Sequence, residues 1–197
     1  MILNSGWYTE EDLQKAGAGS VGTNVRVSKN NTLIGLDKMH FGSNIRIDDY
    51  CTIVTSKEPI HLGDYVHIAS HCHISGTYGF EMHDFSGMAS GCRVYSATDD
   101  YVGPNLINPT VPKQFLNVKQ GKVVLEKYST MGANCTVLTG VTLKEGSVMG
   151  AHSITSKSLE PWKVYLGAPA KLVKQREKIT DDKDFREWLA NAHGVSA

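Results

Sequence analysis

The 197-residue chain is long enough for one domain with terminal additions, and its 41% apolar content allows a sizeable core. Lys plus Arg number 20 and Asp plus Glu number 20, so neither a nucleic-acid surface nor an anionic-lipid surface is expected. No segment approaches the roughly 20 apolar residues of a membrane helix. The opening "MILNSGWYTEEDL" has no basic start and no apolar run, so the expectation is no signal peptide, a cytoplasmic setting and reduced cysteines.

Residues 1–17 read as a helical segment. Thr9 before Glu10, Glu11 and Asp12 is a capped helix start with acids in its first turn, and the helix stops near Gly17. From 18 to 170 the dominant signal is a repeat. Apolar residues recur every six positions in triples: Val21, Val27, Leu33; Phe41, Ile47, Ile53; Leu62, Ile68, Ile74; Met82, Met88, Val94. They resume at Leu125, Met131, Val137, then Leu143, Met149 and Thr155, the one member that is not apolar. A period of six fits neither a helix nor a long strand. It fits a short strand and a sharp corner, three times per coil, with coils stacked as parallel strands about 4.8 Å apart. Gly follows many of the apolar residues (Gly22, Gly42, Gly63, Gly132, Gly150), and is expected there for backbone angles that other residues avoid.

The cysteines test this register. Cys51, Cys72, Cys92 and Cys135 each lie four residues after the middle member of a triple, so uneven spacing along the chain becomes one column on the coils, continued by Ser153. They are expected as small buried side chains, without disulfides or zinc. Residues 95–124 interrupt the period with a loop holding Pro104, Pro109 and Pro112; a loop of that length in a compact repeat is functional or disordered. The C-terminal extension, 171–197, contains a second capped helix after Thr180, with Phe185, Trp188 and Leu189 on one face.

Over about residues 18–175 this pattern resembles the hexapeptide-repeat acyltransferases, most strongly at "MGANCTVLTGVTLKEGSVMGAHSITSKSLEPWKVYLGAPAKLVK". The resemblance implies an all-β fold, a left-handed parallel β-helix with an extruded loop, and a homotrimer with active sites between subunits. It also implies acetyl-CoA as donor, and no metal. Within the family, "DFSGMAS", "YSATDDY" and "NPTVP" are similar to enzymes modifying sugars for bacterial surface polysaccharides. The nearest type is the N-acetyltransferases of nucleotide-linked amino sugars such as dTDP-4-amino-4,6-dideoxyglucose.

The resemblance places acetyl-CoA along the closing coils. Ala133 and Ala151 match small residues beside the pantetheine arm, Ser156 and Lys157 fall where relatives carry Thr-Lys, and Lys171 matches a basic residue near the nucleotide phosphates. Lys174 and Arg176 are expected as solvated charges. Asp99 stands at the corner where sugar O-acetyltransferases keep a catalytic histidine. An ordinary aspartate, with a pKa of about 3.9, is a weak base for a hydroxyl. An amine beside electron-withdrawing groups, with a pKa nearer 8, is already about a tenth neutral at pH 7 and needs only placement. Asp99 therefore points to an amino sugar; its structural alternative is a loop-start residue bonding local backbone.

His83 is the rival base, expected to pair with Glu126 one coil above, which would make the chain a sugar O-acetyltransferase; an exposed corner histidine is the plain alternative. Asp48, Asp49, Asp84 and Tyr95 are candidate contacts to the acceptor sugar. A remote alternative is a zinc carbonic-anhydrase-like enzyme using His67, His71 and His73, whose spacing does not match that pattern.

Overall fold

A computed structural model of the chain describes residues 6–180 and 182–193. The first five residues of the opening stretch and the side chain of Leu189 lie outside that set. Strands of two to five residues stack into one nine-stranded and two six-stranded sheets. These are the three faces of a triangular coil. Face one runs through Met39–Phe41, Ile60–Leu62, Phe80–Met82 and Val123–Leu125. Face two runs through Ile45–Ile47, His67–Ile68, Gly87–Met88, Thr130–Met131 and Val148–Met149. Face three runs through Thr52–Val54, His73–Ser75, Arg93–Tyr95 and Thr136–Val137.

The triples align rung on rung and in parallel, as in Ile47 on Ile68, Ile68 on Met88, Met88 on Met131 and Met131 on Met149. Their side chains fill the interior, and Phe80 and Ile74 are wholly buried. Thr155 is buried too, its hydroxyl donating to the Lys157 carbonyl at 2.7 Å. The four cysteines are free and buried in one column. Each thiol donates to a carbonyl of the coil above: Cys51 to Ala69 at 3.2 Å, Cys72 to Ala89 at 3.3 Å, Cys92 to Gly132 at 3.1 Å and Cys135 to Gly150 at 3.0 Å.

The corner glycines act differently from expectation. Gly22, Gly42 and Gly63 do not carry the left-handed angles; these fall two residues on, at Asn24, Asn44, Tyr65, and then Phe85 and Tyr128, with φ of 54°, 58°, 58°, 60° and 62°. The glycines make room instead. A Cβ on Gly63 would stand 2.7 Å from Asp84 Oδ1, and one on Gly42 2.6 Å from Asp64 Oδ1. Each carboxylate drops onto the coil below and accepts a backbone N–H: Asp64 from Ser43 at 2.7 Å, Asp84 from Asp64 at 3.0 Å. A left-handed non-glycine residue costs about 1–2 kcal/mol. Here ring stacking worth about 0.5–1.5 kcal/mol per pair offsets it: Tyr65 on Phe85 at 4.9 Å and Phe85 on Tyr128 at 5.5 Å.

One helix caps the first coils and a second lies along their side. Helix α1, Glu10–Lys15, starts in a capping box in which Asp12 N donates to Thr9 Oγ1 and Thr9 N to Asp12 Oδ2, and it buries Leu13 against the first coils. Helix α2, Asp182–His193, sets Phe185 edge-on to Tyr65 at 5.3 Å and to Phe85 at 6.0 Å. Arg176 is not a solvated charge: it donates to the carbonyls of Tyr128 at 2.8 Å and Gly146 at 2.9 Å.

Candidate active site

The coil opens after Tyr95 and resumes at Val123. The loop between is rooted in an antiparallel ribbon, Ala97–Thr98 against Lys119–Gln120. Beside the ribbon lies a cavity of ≈ 830 Å³ lined by Asp99 with Tyr95, Tyr101, Val102, Pro109 and Leu138 among others. Asp99 Oδ2 accepts the Asn108 N–H at a long 3.3 Å, so the carboxylate keeps most of its accepting capacity. Tyr101 is 73% and Val102 89% exposed.

Ser156 and Lys157 turn the same corner higher up, since Thr155 sits directly on Val137 and Leu138 donates to the Thr155 carbonyl at 3.0 Å. Both are exposed. Ala133 and Ala151 occupy the next corner, one above the other, where Gly132 lets the backbone approach: a Cβ there would meet Ala151 N at 2.7 Å. Lys171 begins the second strand of the closing hairpin, Lys163–Leu166 against Lys171–Gln175, with its side chain exposed. The turn of that hairpin is pinned to the last coil by Gly167 N to Ser153 Oγ at 2.9 Å and Ala170 N to Ile154 O at 2.8 Å.

The remaining candidates lie elsewhere. Asp48 contacts Arg46 Nε at 2.6 Å and His67 Nε2 at 2.9 Å. Burial pushes its carboxyl up, but the hydrogen bonds from His67 and Arg46 outweigh that and hold it below the usual carboxylate range. Asp49 accepts from Ser28 and Asn30. His83 does not pair with Glu126. Its Nε2 stands 3.5 Å from Glu81 Oε2, while Glu126 Oε2 accepts the Glu145 N–H at 2.8 Å. The two-residue period of a strand puts 81 and 83 on one side, and the free backbone N–H takes the Glu126 carboxylate. Glu81 also holds Lys122 Nζ at 2.7 Å. His83 and Asp84 share with Glu81 a groove of ≈ 470 Å³ apart from the Asp99 cavity. His67, His71 and His73 diverge: His67 meets Asp48, His71 stacks on Tyr50 at 5.2 Å, and His73 tilts against Tyr95 at 5.8 Å. Among the described residues no group of three or more His, Cys, Asp or Glu side chains is gathered as a metal would need.

No family model matches the chain. A curated relative, dTDP-4-amino-4,6-dideoxy-D-glucose acyltransferase of Escherichia coli, is 34% identical over 172 residues, covering 87% of this chain and 90% of the relative. The chain belongs to that family of acyltransferases. Membership accounts for the hexapeptide repeat and gives the coil its left hand. Solved structures agree over most of the chain. AntD, an N-acyltransferase from Bacillus cereus, superposes with a TM-score of 0.88 at 35% identity, over 97% of this chain and 100% of AntD, in a variant bound to dTDP-4-amino-4,6-dideoxyglucose and coenzyme A. AntD bound to dTDP and 3-hydroxybutyryl-CoA superposes at 0.87 with 34% identity, over 96% of this chain and 99% of AntD.

The family was legible in the repeat and its closing coils; the loop's architecture was not. Sequence reasoning missed Asp100, whose carboxylate ties the loop together, and Leu138, which lines the Asp99 cavity from the coil. A regular apolar register could have flagged Leu138 as the outward neighbour of Val137. Nothing in "DDY" separates the two acids by role.

Proposed function

We propose that the chain is an acetyl-CoA-dependent N-acetyltransferase acting on the amine of a nucleotide-linked amino deoxysugar of the dTDP-4-amino-4,6-dideoxyglucose type. The observation that carries the reading is the Asp99 carboxylate, under-used by its own loop, on the wall of an ≈ 830 Å³ cavity at the corner beneath Ser156 and Lys157. Asp99 accepts a hydrogen bond from the acceptor amine and orients its lone pair at the thioester carbon. The C–N bond forms, a backbone N–H holds the oxyanion, and the C–S bond breaks. The amine's proton leaves with the coenzyme thiolate, with Asp99 stabilising the cation on the way. Ala133 and Ala151 leave room for the pantetheine arm, Ser156 and Lys157 flank it, and Lys171 meets the nucleotide phosphates. Asp48, Asp49, Asp84 and Tyr95 are the acceptor-side candidates.

These groups sit on different corners and on different coils of the β-helix. That spread, with the exposed Tyr101, Val102 and Phe115 of the loop, supports a homotrimer with each site built between subunits. Light scattering should then report about three times 21.5 kDa. Four buried free thiols fit a cytoplasmic enzyme, and the product would serve surface polysaccharide synthesis.

The test is a panel of nucleotide sugars, amino and hydroxyl, assayed for thiol release from acetyl-CoA. Amino sugars should be acetylated. Asp99→Asn, which keeps the shape and loses the charge, should lower kcat about 10–100-fold, and His83→Asn should cost less. If only hydroxyl acceptors react, or His83→Asn abolishes turnover while Asp99→Asn is harmless, the amine reading is wrong and the His83–Glu81 pair is the base of an O-acetyltransferase.

A further inference from the structure

Asp99 and Asp100 are neighbours with opposite surroundings. Asp99 faces the cavity; Asp100 is 8% exposed and lines none of it. The Asp100 Oδ2 accepts from Asn117 Nδ2 at 3.0 Å and from Asn105 Nδ2 at 3.4 Å, and Oδ1 stands 3.3 Å from Lys119 Nζ. Asn105 belongs to the outgoing limb of the loop, and Asn117 and Lys119 to the returning one. One carboxylate therefore joins both limbs where the ribbon ends. Gly103 completes the arrangement, because a Cβ there would collide with Asp100 Oδ2. Hydrogen bonds from Asn117 and then Lys119 hold the Asp100 carboxyl below the usual carboxylate range, so it carries its charge at neutral pH.

Little else fastens the loop. Beyond the ribbon, the limbs meet at a bridge between Leu106 and Leu116, with Leu106 N donating to Phe115 O at 3.1 Å. The outgoing limb that Asn105 anchors continues to Asn108, whose N–H is, among the described residues, the one hydrogen-bond donor to the Asp99 carboxylate. An ionised buried hub with several donors is strong when complete and costly when broken. Its nearest consequence is the direction in which Asp99 points.

We propose that Asp100 is a positioning residue for acyl transfer: by tying the limbs of the 96–122 loop together it presents Asp99 to the acceptor amine. The inference rests on the role given to Asp99 above. A misplacement of about 1 Å can cost about 100-fold in rate, so Asp100 acts on turnover without touching substrate. Asp100→Asn turns an amide N–H toward groups that are themselves donors, and should open the knot.

The test is a double-mutant cycle on the full-length enzyme with acetyl-CoA and an amino-sugar nucleotide, reading kcat, coenzyme A affinity by calorimetry and Tm. Asp100→Asn should lower kcat about 10–100-fold with coenzyme A affinity within about twofold of wild type. Asn117→Ala, at an exposed side chain that cannot unfold the coil, should lower kcat in the same direction by less. The double variant Asp99→Asn/Asp100→Asn should be no slower than the slower single variant, because one residue works through the other. A purely structural hub would instead give losses that multiply, or a coenzyme A affinity that falls in step with kcat. Either result overturns the proposal, as does wild-type turnover in both Asp100→Asn and Asn117→Ala. If Asp99→Asn alone is silent, the Asp99 role fails and the inference falls with it, an outcome distinct from those in which Asp99→Asn is slow and Asp100 is not coupled to it.

Discussion

The repeat body and the extruded loop solve opposite problems with similar residues. In the body three corner acids bond the chain itself: Asp84 and Asp64 each cap a backbone N–H on the coil below, and Asp49 accepts from Ser28 and Asn30. In the loop, Asp100 is spent the same way, but Asp99 retains free lone pairs and sits on a cavity wall. The body engages these carboxylates locally because parallel rungs bring a backbone N–H of the coil below into reach. The loop has no rung beneath it, so it leaves a carboxylate available and leaves Tyr101 and Val102 in solvent. Chemistry is assigned where self-satisfaction ends.

The largest expected effect would break this contrast on the side of the body. Phe80 is wholly buried between Ile60 and Val123 on its face. Phe80→Ala should lower stability by about 3–5 kcal/mol, read as a shifted urea midpoint with unchanged slope. A loss under about 1 kcal/mol would mean that the interior relaxes freely and that the body is no more over-determined than the loop.

Much of the body was readable because the rule that builds it is local. One inward side chain per face, every six residues, predicts Ile47, Ile68, Met88 and Met131 in a single stack, and the same register predicts the cysteine column. What the period did not carry was the use of each corner. Glycine after an apolar residue suggests an unusual φ, yet Gly42 and Gly63 serve as space for Asp64 and Asp84, and the left-handed angle passes to Asn44 and Tyr65. That depends on the coil above, which is some twenty residues away in the chain. The His83–Glu126 pairing failed for a related reason: rung-above neighbours are close, but a backbone N–H and a same-side neighbour competed and won. The loop has no period at all, so Asp99 was visible only by its position relative to the family, and Asp100 was not visible as a hub.

A smaller effect sharpens the functional side. Lys171 is exposed on the closing hairpin. Its proposed partner is a phosphate, so Lys171→Ala should weaken coenzyme A binding by about 3–10-fold, the loss of one exposed charge-assisted contact. The fall should shrink as salt is raised. Calorimetry showing no change at low salt would remove Lys171 from the cofactor site and leave the phosphates to other groups.

The smallest effect separates the two duties that an acid can have at a corner. Asp84 Oδ1 caps the Asp64 N–H at 3.0 Å, and Oδ2 stands 3.7 Å from Arg186 Nη2 of α2. Both contacts are near solvent, so water replaces much of what is lost when the carboxylate is removed, and an exposed ion pair adds little. Asp84→Ala should therefore cost about 0.5–1 kcal/mol of stability, in line with one ordinary hydrogen bond. Gly63 gives the control. Gly63→Ala puts a methyl against the same carboxylate and against Asp84 N at 3.0 Å, and should cost about 1–3 kcal/mol by overpacking. In the double variant part of that penalty should disappear, because the carboxylate is no longer there to collide, while the backbone contact remains. If Asp84→Ala leaves the urea midpoint unmoved and instead raises the KM for the nucleotide sugar, Asp84 contacts substrate, and the line between the body's acids and the loop's acids must be redrawn to include this corner.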